Sequence, residues 1–252
     1  MATLTVATLN IRNLADRWDE RLPLLLADMS ALQPDVLGLQ EVVYPLQQDR
    51  LIGAAGEGRY ESFRAWAGRP EYGNAMLVRA SLAATASGVE RLDLGLGRSA
   101  LRVIVPVDGA LVLIAVTHLH HVPDDAGLRD EQARQLIDWL DAAPPTDGQI
   151  VVGDFNADPT EPAAKRMPSH GFRSAYADAN GADPEITWPS GLQAAGMDAD
   201  GEPGCLDYIW FRGDVRVARA RLAWDRPAVG DPSLYPSDHI GLIAKLSIAE
   251  GG

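Results

Sequence analysis

Polar side chains lie at the ends of the apolar, strand-like segments of this sequence, and their chemistry gives the first indication of function. They are Asn10, Glu41, His118, Asp154, Asn156, Asp207, Asp238 and His239. A single Asn or Asp at the end of a strand usually belongs to a turn, because its side chain bonds to nearby backbone. If the strands share a sheet, however, their ends converge, and the recurrence of these residues predicts one polar cleft.

Asp207 is the residue that a turn explains least well. It stands in "CLDYIWF", among apolar side chains, and a buried carboxylate there needs an ionic partner or a metal. His239 is the predicted partner. A carboxylate that accepts a hydrogen bond from one imidazole nitrogen fixes the tautomer and holds the other nitrogen toward the cleft. The pair therefore predicts a base with an orienting acid.

A second group of these residues offers oxygen donors: Asn10, Glu41 and Asp238. An all-oxygen set suits a hard cation such as Mg²⁺ or Mn²⁺ much better than zinc. A cation beside a histidine and several carboxylates can neutralise the negative charge that develops in phosphoryl transfer. The residues predict metal-assisted chemistry on a phosphate ester, with Mg²⁺ or Mn²⁺ as the cofactor.

The segments that must position these groups alternate between strand and helix patterns. Apolar residues at helical spacing predict helices within 21–35 and 124–140, and Asp108-Gly109 predicts a hairpin. Continuous apolar strands need cover on both faces. The predicted fold class is α/β, with two mixed sheets packed face to face and helices on the outside. No linker or repeat divides the chain, so we expect a single domain over 1–252.

Six short motifs carry a resemblance to a known family. In chain order they are "ATLN", "LGLQE", "VTHL", "VVGDFN", "CLDYIW" and "PSDH". They resemble the ordered motifs of the endonuclease/exonuclease/phosphatase superfamily, and the match runs from about residue 3 to about residue 247. The resemblance implies a four-layer α/β sandwich that hydrolyses a phosphate ester with a divalent metal ion.

The resemblance also implies which residues hold the metal. Glu41 would be the principal ligand, helped by Asn10 and Asp238. Some nucleases of the family place an aspartate two residues after the first-strand asparagine as a second metal ligand, but Arg12 stands at that position here. The resemblance therefore implies a site with one metal ion.

The remaining motif residues are implied to carry out the reaction. Asp154 would position or deprotonate the attacking water, and Asn156 would bond to the phosphoryl oxygens. His239, oriented by Asp207, would act as the base or as a charged stabiliser of the pentacovalent state. His118 would bind the phosphate or assist the leaving group.

Composition limits the partners and the compartment. The formal net charge is −13, from 35 acidic and 22 basic residues, which disfavours binding along a nucleic-acid backbone without excluding it. All basic residues except Lys165 and Lys245 are arginines, which suit bidentate phosphate contacts. The single Cys205 rules out an intrachain disulfide. No segment resembles a signal peptide or a membrane helix, so we expect a cytoplasmic protein without membrane insertion.

The substrate expected from the sequence is a small phosphodiester or phosphomonoester. The loops 120–127 and 191–204, which would flank the cleft, are neutral to acidic, whereas a nuclease needs basic loops and aromatic platforms for bases. A magnesium-dependent nuclease that acts on DNA or RNA is the alternative. The candidates for substrate contacts are Trp188 as a stacking ring, His120 and His121 at the rim, and Arg102 if its side chain faces the cleft.

Two further interpretations are less favoured. His118 and His120 resemble the His-x-His opening of zinc metallo-hydrolases, but Val122 and Pro123 stand where that motif continues with Asp and His. A catalytically silent binding module would have lost at least one motif residue, and all of them are present. The sequence gives no indication of the oligomeric state.

Overall fold

The computed structural model of the chain describes residues 2–197 and 201–249, so residues 198–200 of the loop 191–204 lie outside the described residues. The strands are β1 (Ala2–Asn10), β2 (Val36–Val43), β3 (Tyr60–Arg69), β4 (Tyr72–Arg79), β5 (Ser87–Gly95), β6 (Arg98–Val107), β7 (Ala110–His118), β8 (Gly148–Asp154), β9 (Arg173–Ser174), β10 (Asp207–Gly213), β11 (Val215–Ala223) and β12 (Gly241–Ile248). The helices are α1 (Trp18–Leu32), α2 (Leu46–Ala55), α3 (Ala80–Ala83), α4 (Ala126–Asp141), α5 (Pro162–Ser169) and α6 (Ala175–Asn180).

The strands form two six-stranded sheets, in the orders β11-β12-β1-β2-β4-β3 and β5-β6-β7-β8-β10-β9. Each sheet is mixed. β1 and β2 are parallel in the first sheet and β7 and β8 in the second, whereas the other neighbours run antiparallel. The hairpin predicted at Asp108-Gly109 joins β6 to β7, with Val107 opposite Ala110. The prediction of two mixed sheets is confirmed.

The two sheets pack face to face through fully buried aliphatic side chains. Val6 and Val36 of the first sheet share one apolar cluster with Val116 and Val152 of the second. Gly38 shows how closely the faces approach, because a Cβ atom at this position would lie 2.4 Å from Cγ2 of Val152. The missing side chain therefore lets the sheets reach the close packing of a protein interior.

Helices cover the outer face of each sheet and complete the predicted four layers. Leu25 and Met29 of α1 pack on the first sheet, and Leu136 and Leu140 of α4 pack on the second. α1 begins earlier than its apolar spacing indicates, so Pro23 lies inside the helix and removes one backbone hydrogen bond there. Among the described residues, no helix has the length and apolar character needed to cross a bilayer.

The topology brings the polar strand ends to one edge of the sandwich. His118 and Asp154 lie opposite each other where the parallel strands β7 and β8 end. Asp207, at the start of β10, lies opposite Asp154 on its other side. In the first sheet, β1 ends at Asn10. β12 starts just after His239, so this histidine belongs to the preceding loop and does not open the strand as the sequence indicated.

Candidate active site

A cavity of about 590 Å³ opens at this edge, between the ends of the two sheets. Most of the motif residues line it: Asn10, Glu41, His118, Asp154, Asn156, Asp238 and His239. Asp207 does not reach the cavity, because it lies behind His239 with its side chain fully buried. The polar strand ends thus come together in one cleft, and their contacts determine what each of them can do.

His239 lies between two carboxylates at the floor of the cleft. Its Nδ1 lies 2.9 Å from Oδ2 of Asp207, and its Nε2 lies 3.7 Å from Oδ2 of Asp154. Burial alone lowers the pKa of His239, but Asp207, Asp154 and Asp238 outweigh it and raise the pKa to about 10. The imidazole is therefore held as a cation at neutral pH, with Nε2 directed at Asp154.

Asp154 is the most central group of the cleft. Its Oδ2 accepts a hydrogen bond from Nδ2 of Asn10 at 3.0 Å, and its Oδ1 accepts one from the backbone N–H of Asn156 at 2.9 Å. Burial raises the pKa of Asp154 to about 6, against the opposing effect of His239. A carboxylate with this pKa is ionised at neutral pH and still basic enough to accept a proton.

A second imidazole, that of His118 at the end of β7, also lies close to Asp154. Nε2 of His118 lies 3.4 Å from Oδ2 of Asp154. Burial, followed by the positive charge of Arg98, holds the pKa of His118 well below its usual range. His118 is therefore neutral where His239 is charged, so the two histidines beside Asp154 have different chemistry.

Glu41 reaches the cleft because β2 is irregular at this residue. The pairing of β2 with β4 shifts register between Leu39 and Val42, and Glu41 has a φ of 58°, a left-handed conformation that is strained for a residue with a side chain. The bulge turns the carboxylate into the cavity. There Nδ2 of Asn13 donates to Oε2 at 2.8 Å and Nδ2 of Asn10 lies 3.5 Å from Oε1.

Two sets of side chains in the cleft have donor atoms for a metal ion. Asp154, Asp207 and His239 each place one such atom within 4.8 Å of the others, but Asp207 is fully buried and already bonded to His239. Glu41 and Asp238 instead face the cavity, as Asn10 does. This second set fits a hard divalent cation better, because its members line the cavity and offer oxygen atoms, although Oδ1 of Asn10 also accepts a hydrogen bond from the backbone N–H of Arg12 at 3.0 Å.

Comparison with known proteins identifies the family. Residues 7–239 match the family model described as "Endonuclease/Exonuclease/phosphatase family". The chain belongs to this family. The resemblance inferred from six short motifs is therefore confirmed. Members of the endonuclease/exonuclease/phosphatase family are hydrolases that act on phosphate esters.

The chain is also similar to individual proteins of known structure or name. Human Nocturnin is 28% identical over an alignment of 267 residues that covers 93% of this chain and 59% of Nocturnin, so the chain spans little more than half of that relative. The human Nocturnin catalytic domain with bound sulfate anion has a TM-score of 0.76 and 26% identity over 98% of this chain and 94% of its own. D. rerio TDP2 complexed with a single strand DNA product has the same fold, with a TM-score of 0.79 at 19% identity over 98% of this chain and 100% of its own.

Two of the residues predicted to contact substrate lie away from the cavity. Arg102 is on the outer face of its sheet, where it stacks on Trp139 of α4 at 4.3 Å and pairs with Glu90 at 2.7 Å. Its position follows from strand alternation, because its neighbours in β6 face the other sheet. His120 turns away as well, with Nε2 2.9 Å from Oδ2 of Asp125. Arg102 and His120 therefore do not line the cavity, and their contacts with substrate stay predictions.

The other two candidates do line the cavity. His121 is exposed, and Trp188 is half-buried. The separation of His120 from the cleft also removes the basis for a zinc pair with His118. Asn156 lines the cavity too, but its Nδ2 donates to the carbonyl of Leu119 at 3.0 Å, so only part of this amide faces substrate.

Several cavity-lining residues were not predicted from the sequence: Arg98, Arg129, Asn13 and Tyr72. Arg12 was noted only as a departure from a family pattern. In the structure its Nε bonds to Asp16 at 2.7 Å and its Nη1 lies 3.6 Å from Oδ2 of Asp238. A permanent positive charge thus lies beside the oxygen donors, at the position where a second metal ligand stands in some relatives.

Proposed function

We propose that this protein is a divalent-metal-dependent phosphodiesterase that removes nucleotide units from the end of a single-stranded nucleic acid or splits a dinucleotide. Asp154 carries the proposal. It is a buried carboxylate between a neutral and a charged imidazole, at the floor of a cavity lined by further carboxylates. This arrangement suits water attack on phosphorus, which needs a proton acceptor and a nearby positive charge.

Asp154 accepts the proton of the attacking water in this proposal. Its bonds from Asn10 and from the backbone of Asn156 fix the carboxylate plane, so the lone pairs that remain point at one region of the cavity. His239 is the cation that contacts the phosphoryl oxygens as negative charge develops on them, and Asp207 holds its ring in place. His118, being neutral, donates or accepts a single hydrogen bond on the leaving-group side.

Glu41, Asp238 and Asn10 would hold one divalent cation. When bound, the ion polarises a phosphoryl oxygen and neutralises part of its charge. The guanidinium of Arg12 lies beside Asp238, which supports the expectation of one ion rather than two. Each of these assignments extends a role implied by the family resemblance to a residue that lines the cavity.

The proposed substrate differs from the small phosphate ester expected from the sequence. One relative of the same fold was solved with a single strand DNA product and another with a bound sulfate anion, which favours the nuclease alternative. The net charge of −13 still opposes binding along many phosphates. A substrate that presents only a chain end, or a dinucleotide, is compatible with both the nuclease alternative and the negative net charge, because only a few phosphates then enter the cavity.

The test uses three substrates with the wild type and with His239→Ala and Asp154→Asn. The substrates are a labelled single-stranded oligonucleotide, supercoiled plasmid, and p-nitrophenyl phosphate, each in Mg²⁺ and in EDTA. We expect the wild type to shorten the oligonucleotide in Mg²⁺ only, without nicking plasmid. Each substitution should lower turnover by about 1000-fold or more, because removing one member of a cooperating set disables most of it.

His170→Ala is the matched control, since His170 is exposed on α5's C-terminal side and lies outside the cavity. It should behave as the wild type does. Wild-type turnover by either active-site variant would show that the site has been assigned wrongly. Plasmid nicking by the wild type alone would favour internal cleavage, and hydrolysis of p-nitrophenyl phosphate alone would restore the small-ester interpretation.

A further inference from the structure

The arginines that line the cavity differ in how their charge is compensated. In the described part of the chain they are Arg12, Arg98 and Arg129. Arg12 pairs with Asp16, and Arg129 pairs with Glu161 at 2.9 Å. Over residues 2–197 and 201–249, Arg98 forms no ion pair with a carboxylate. It is the cavity arginine whose charge the described part of the protein leaves without a bonded counter-charge.

Two imidazoles hold the guanidinium of Arg98. Its Nη1 lies 2.8 Å from Nε2 of His118, and its Nη2 lies 2.8 Å from Nδ1 of His121. An imidazole nitrogen can accept from an arginine N–H only through its lone pair, so these contacts require the accepting nitrogens to be unprotonated. Neutral partners fix the direction of the guanidinium without cancelling its charge. A guanidinium has five N–H donors, and two imidazoles use only part of them.

Partial burial of the Arg98 guanidinium costs free energy unless an anion binds to it. Arg98 is only partly exposed, at the start of β6, and its exposed part faces the cavity. A charge that is largely removed from water needs a partner, and the planar fork of arginine matches the oxygens of a phosphate. A fixed donor set in a sheltered cleft binds an anion strongly, because little ordering remains to be done when the anion arrives.

Arg98 adjoins the reaction centre through His118 and reaches the rim of the cavity through His121. The same atom, Nε2 of His118, lies 2.8 Å from Nη1 of Arg98 and 3.4 Å from Oδ2 of Asp154, so these two atoms are at most about 6 Å apart. Nη2 is held instead toward His121, which is exposed. The Nη2 side of the guanidinium can therefore hold an anion next to the ester that is cleaved.

We propose that Arg98, held by His118 and His121, is a specificity subsite for a second phosphate, a terminal phosphate monoester next to the scissile diester. The enzyme then prefers substrates that end in a phosphate over those that end in a hydroxyl. The kinetic consequence rests on the proposed phosphodiesterase function, whereas the binding of an anion at Arg98 does not. The substrates below distinguish a phosphate on the 5′ end from one on the 3′ end.

The binding experiment uses inorganic sulfate as the probe. EDTA-treated protein is titrated with sulfate while the imidazole resonances of the five histidines are followed by NMR. We expect the resonances of His118 and His121 to shift in the wild type, and Arg98→Gln to weaken the apparent affinity by about 10-fold or more. Arg216→Gln removes the same charge from the exposed face of β11 and should titrate like the wild type.

The kinetic experiment compares kcat/KM for ApA, pApA and ApAp in Mg²⁺. We expect the wild type to prefer one phosphorylated dinucleotide over ApA by about 10-fold or more. The preference should fall to about twofold or less in Arg98→Gln, fall partly in Arg98→Lys, which keeps the charge but loses the fork, and persist in Arg216→Gln. Arg98→Lys also serves as the test if Arg98→Gln does not fold.

The outcomes separate this proposal from the proposed function. A preference that survives in Arg98→Gln, or sulfate binding that does not depend on Arg98, overturns the subsite. Equal losses on all three dinucleotides also overturn it, because Arg98 would then contact the scissile phosphate. If no dinucleotide is cleaved but sulfate binding requires Arg98, the anion subsite stands and the proposed phosphodiesterase function does not.

Discussion

Arg21 holds together two loops that lie beside the oxygen donors of the cleft, and its replacement is the sharpest test of how the site is positioned. Its side chain lies on α1, is completely buried, and donates to backbone carbonyl oxygens of the described residues, those of Asp16, Ile11, Pro236, Arg12, Asn13 and Ala15. The first loop follows Asn10, and Pro236 belongs to the loop that carries Asp238. One guanidinium therefore fixes both loops.

The bonds of Arg21 allow the size of the effect to be worked out. The bonds from Nη1 to the carbonyls of Ile11 and Pro236, at 3.0 and 2.9 Å, are fully buried. Each buried acceptor left without a donor costs about 1–3 kcal/mol. Packing of the side chain against Trp18, 5.6 Å away, is lost as well. We expect Arg21→Ala to lower the free energy of unfolding by about 4 kcal/mol, a large share of the 5–15 kcal/mol typical of a domain.

Arg21→Lys is expected to cost about half as much. An ammonium group has three donors at one point, so it reaches carbonyls of one loop but not of both. The loss, about 2 kcal/mol by the same reckoning, should be accompanied by faster amide exchange in residues 11–16 and 234–238. Amide exchange then separates a loosened site from a generally weaker fold.

The assay is equilibrium urea unfolding of EDTA-treated protein, followed by tryptophan fluorescence, with hydrogen exchange read by mass spectrometry. Arg166→Lys is the control. Arg166 also makes two short bonds, both 2.6 Å, but to the half-buried Asp130, so its replacement should cost at most about 0.5–1 kcal/mol. A loss below about 1 kcal/mol for Arg21→Ala would refute the reasoning, because the carbonyls would then be satisfied without the guanidinium.

Three further outcomes are expected. Glu41→Gln should weaken Mn²⁺ binding, measured by calorimetry, by at least about 10-fold while leaving the thermal midpoint nearly unchanged, and unaltered binding would place the ion elsewhere. Gly153→Ala should destabilise the fold by about 3 kcal/mol or more, because its φ is 151° and a Cβ would lie 2.1 Å from the carbonyl oxygen of Thr117. Gly127→Ala, with open space around it, is the control. Cys205 is 2% exposed and burial raises the pKa of its thiol, so a disulfide reagent should react only after unfolding, and rapid labelling of the native protein would contradict this.

The Asp207–His239 pair could be predicted from the sequence because burying a carboxylate costs free energy unless another charged group binds to it. Asp207 lies among apolar neighbours, and that burial alone required a partner before any contact was known. His239 was identifiable because it stands close to an apolar strand-like segment and offers an imidazole to the buried carboxylate. The layered arrangement was predicted from burial as well, since strands with continuous apolar sequences must be covered on both faces of their sheet.

The positions of Glu41 and Arg21 depend on contacts between distant segments, which no local sequence pattern predicts. Glu41 enters the cleft through a bulge, which depends on the register with β4. Arg21 has the spacing of an ordinary helical surface residue, and only the path of two distant loops makes it a buried donor. The position of Arg98 beside His118, in contrast, could have been predicted from the sequence. Counting back along the hairpin from Asp108-Gly109 places the start of β6 beside the end of β7, where His118 lies.

The charge of the cleft links the metal, the substrate and Arg98. Among the residues that the structure describes, three arginines line the cavity against six carboxylates: Glu41, Asp154, Asp158, Glu161, Glu202 and Asp238. Two of those arginines already compensate carboxylates, so a phosphate anion enters against an excess of negative charge. A divalent cation among the oxygen donors reduces that excess of negative charge. Binding free energies are reciprocal, so the cation must strengthen anion binding by the same factor by which the anion strengthens cation binding. Arg98 is a fixed positive charge with which no carboxylate of the described residues forms an ion pair, and it is where an anion should bind first when the cation is absent.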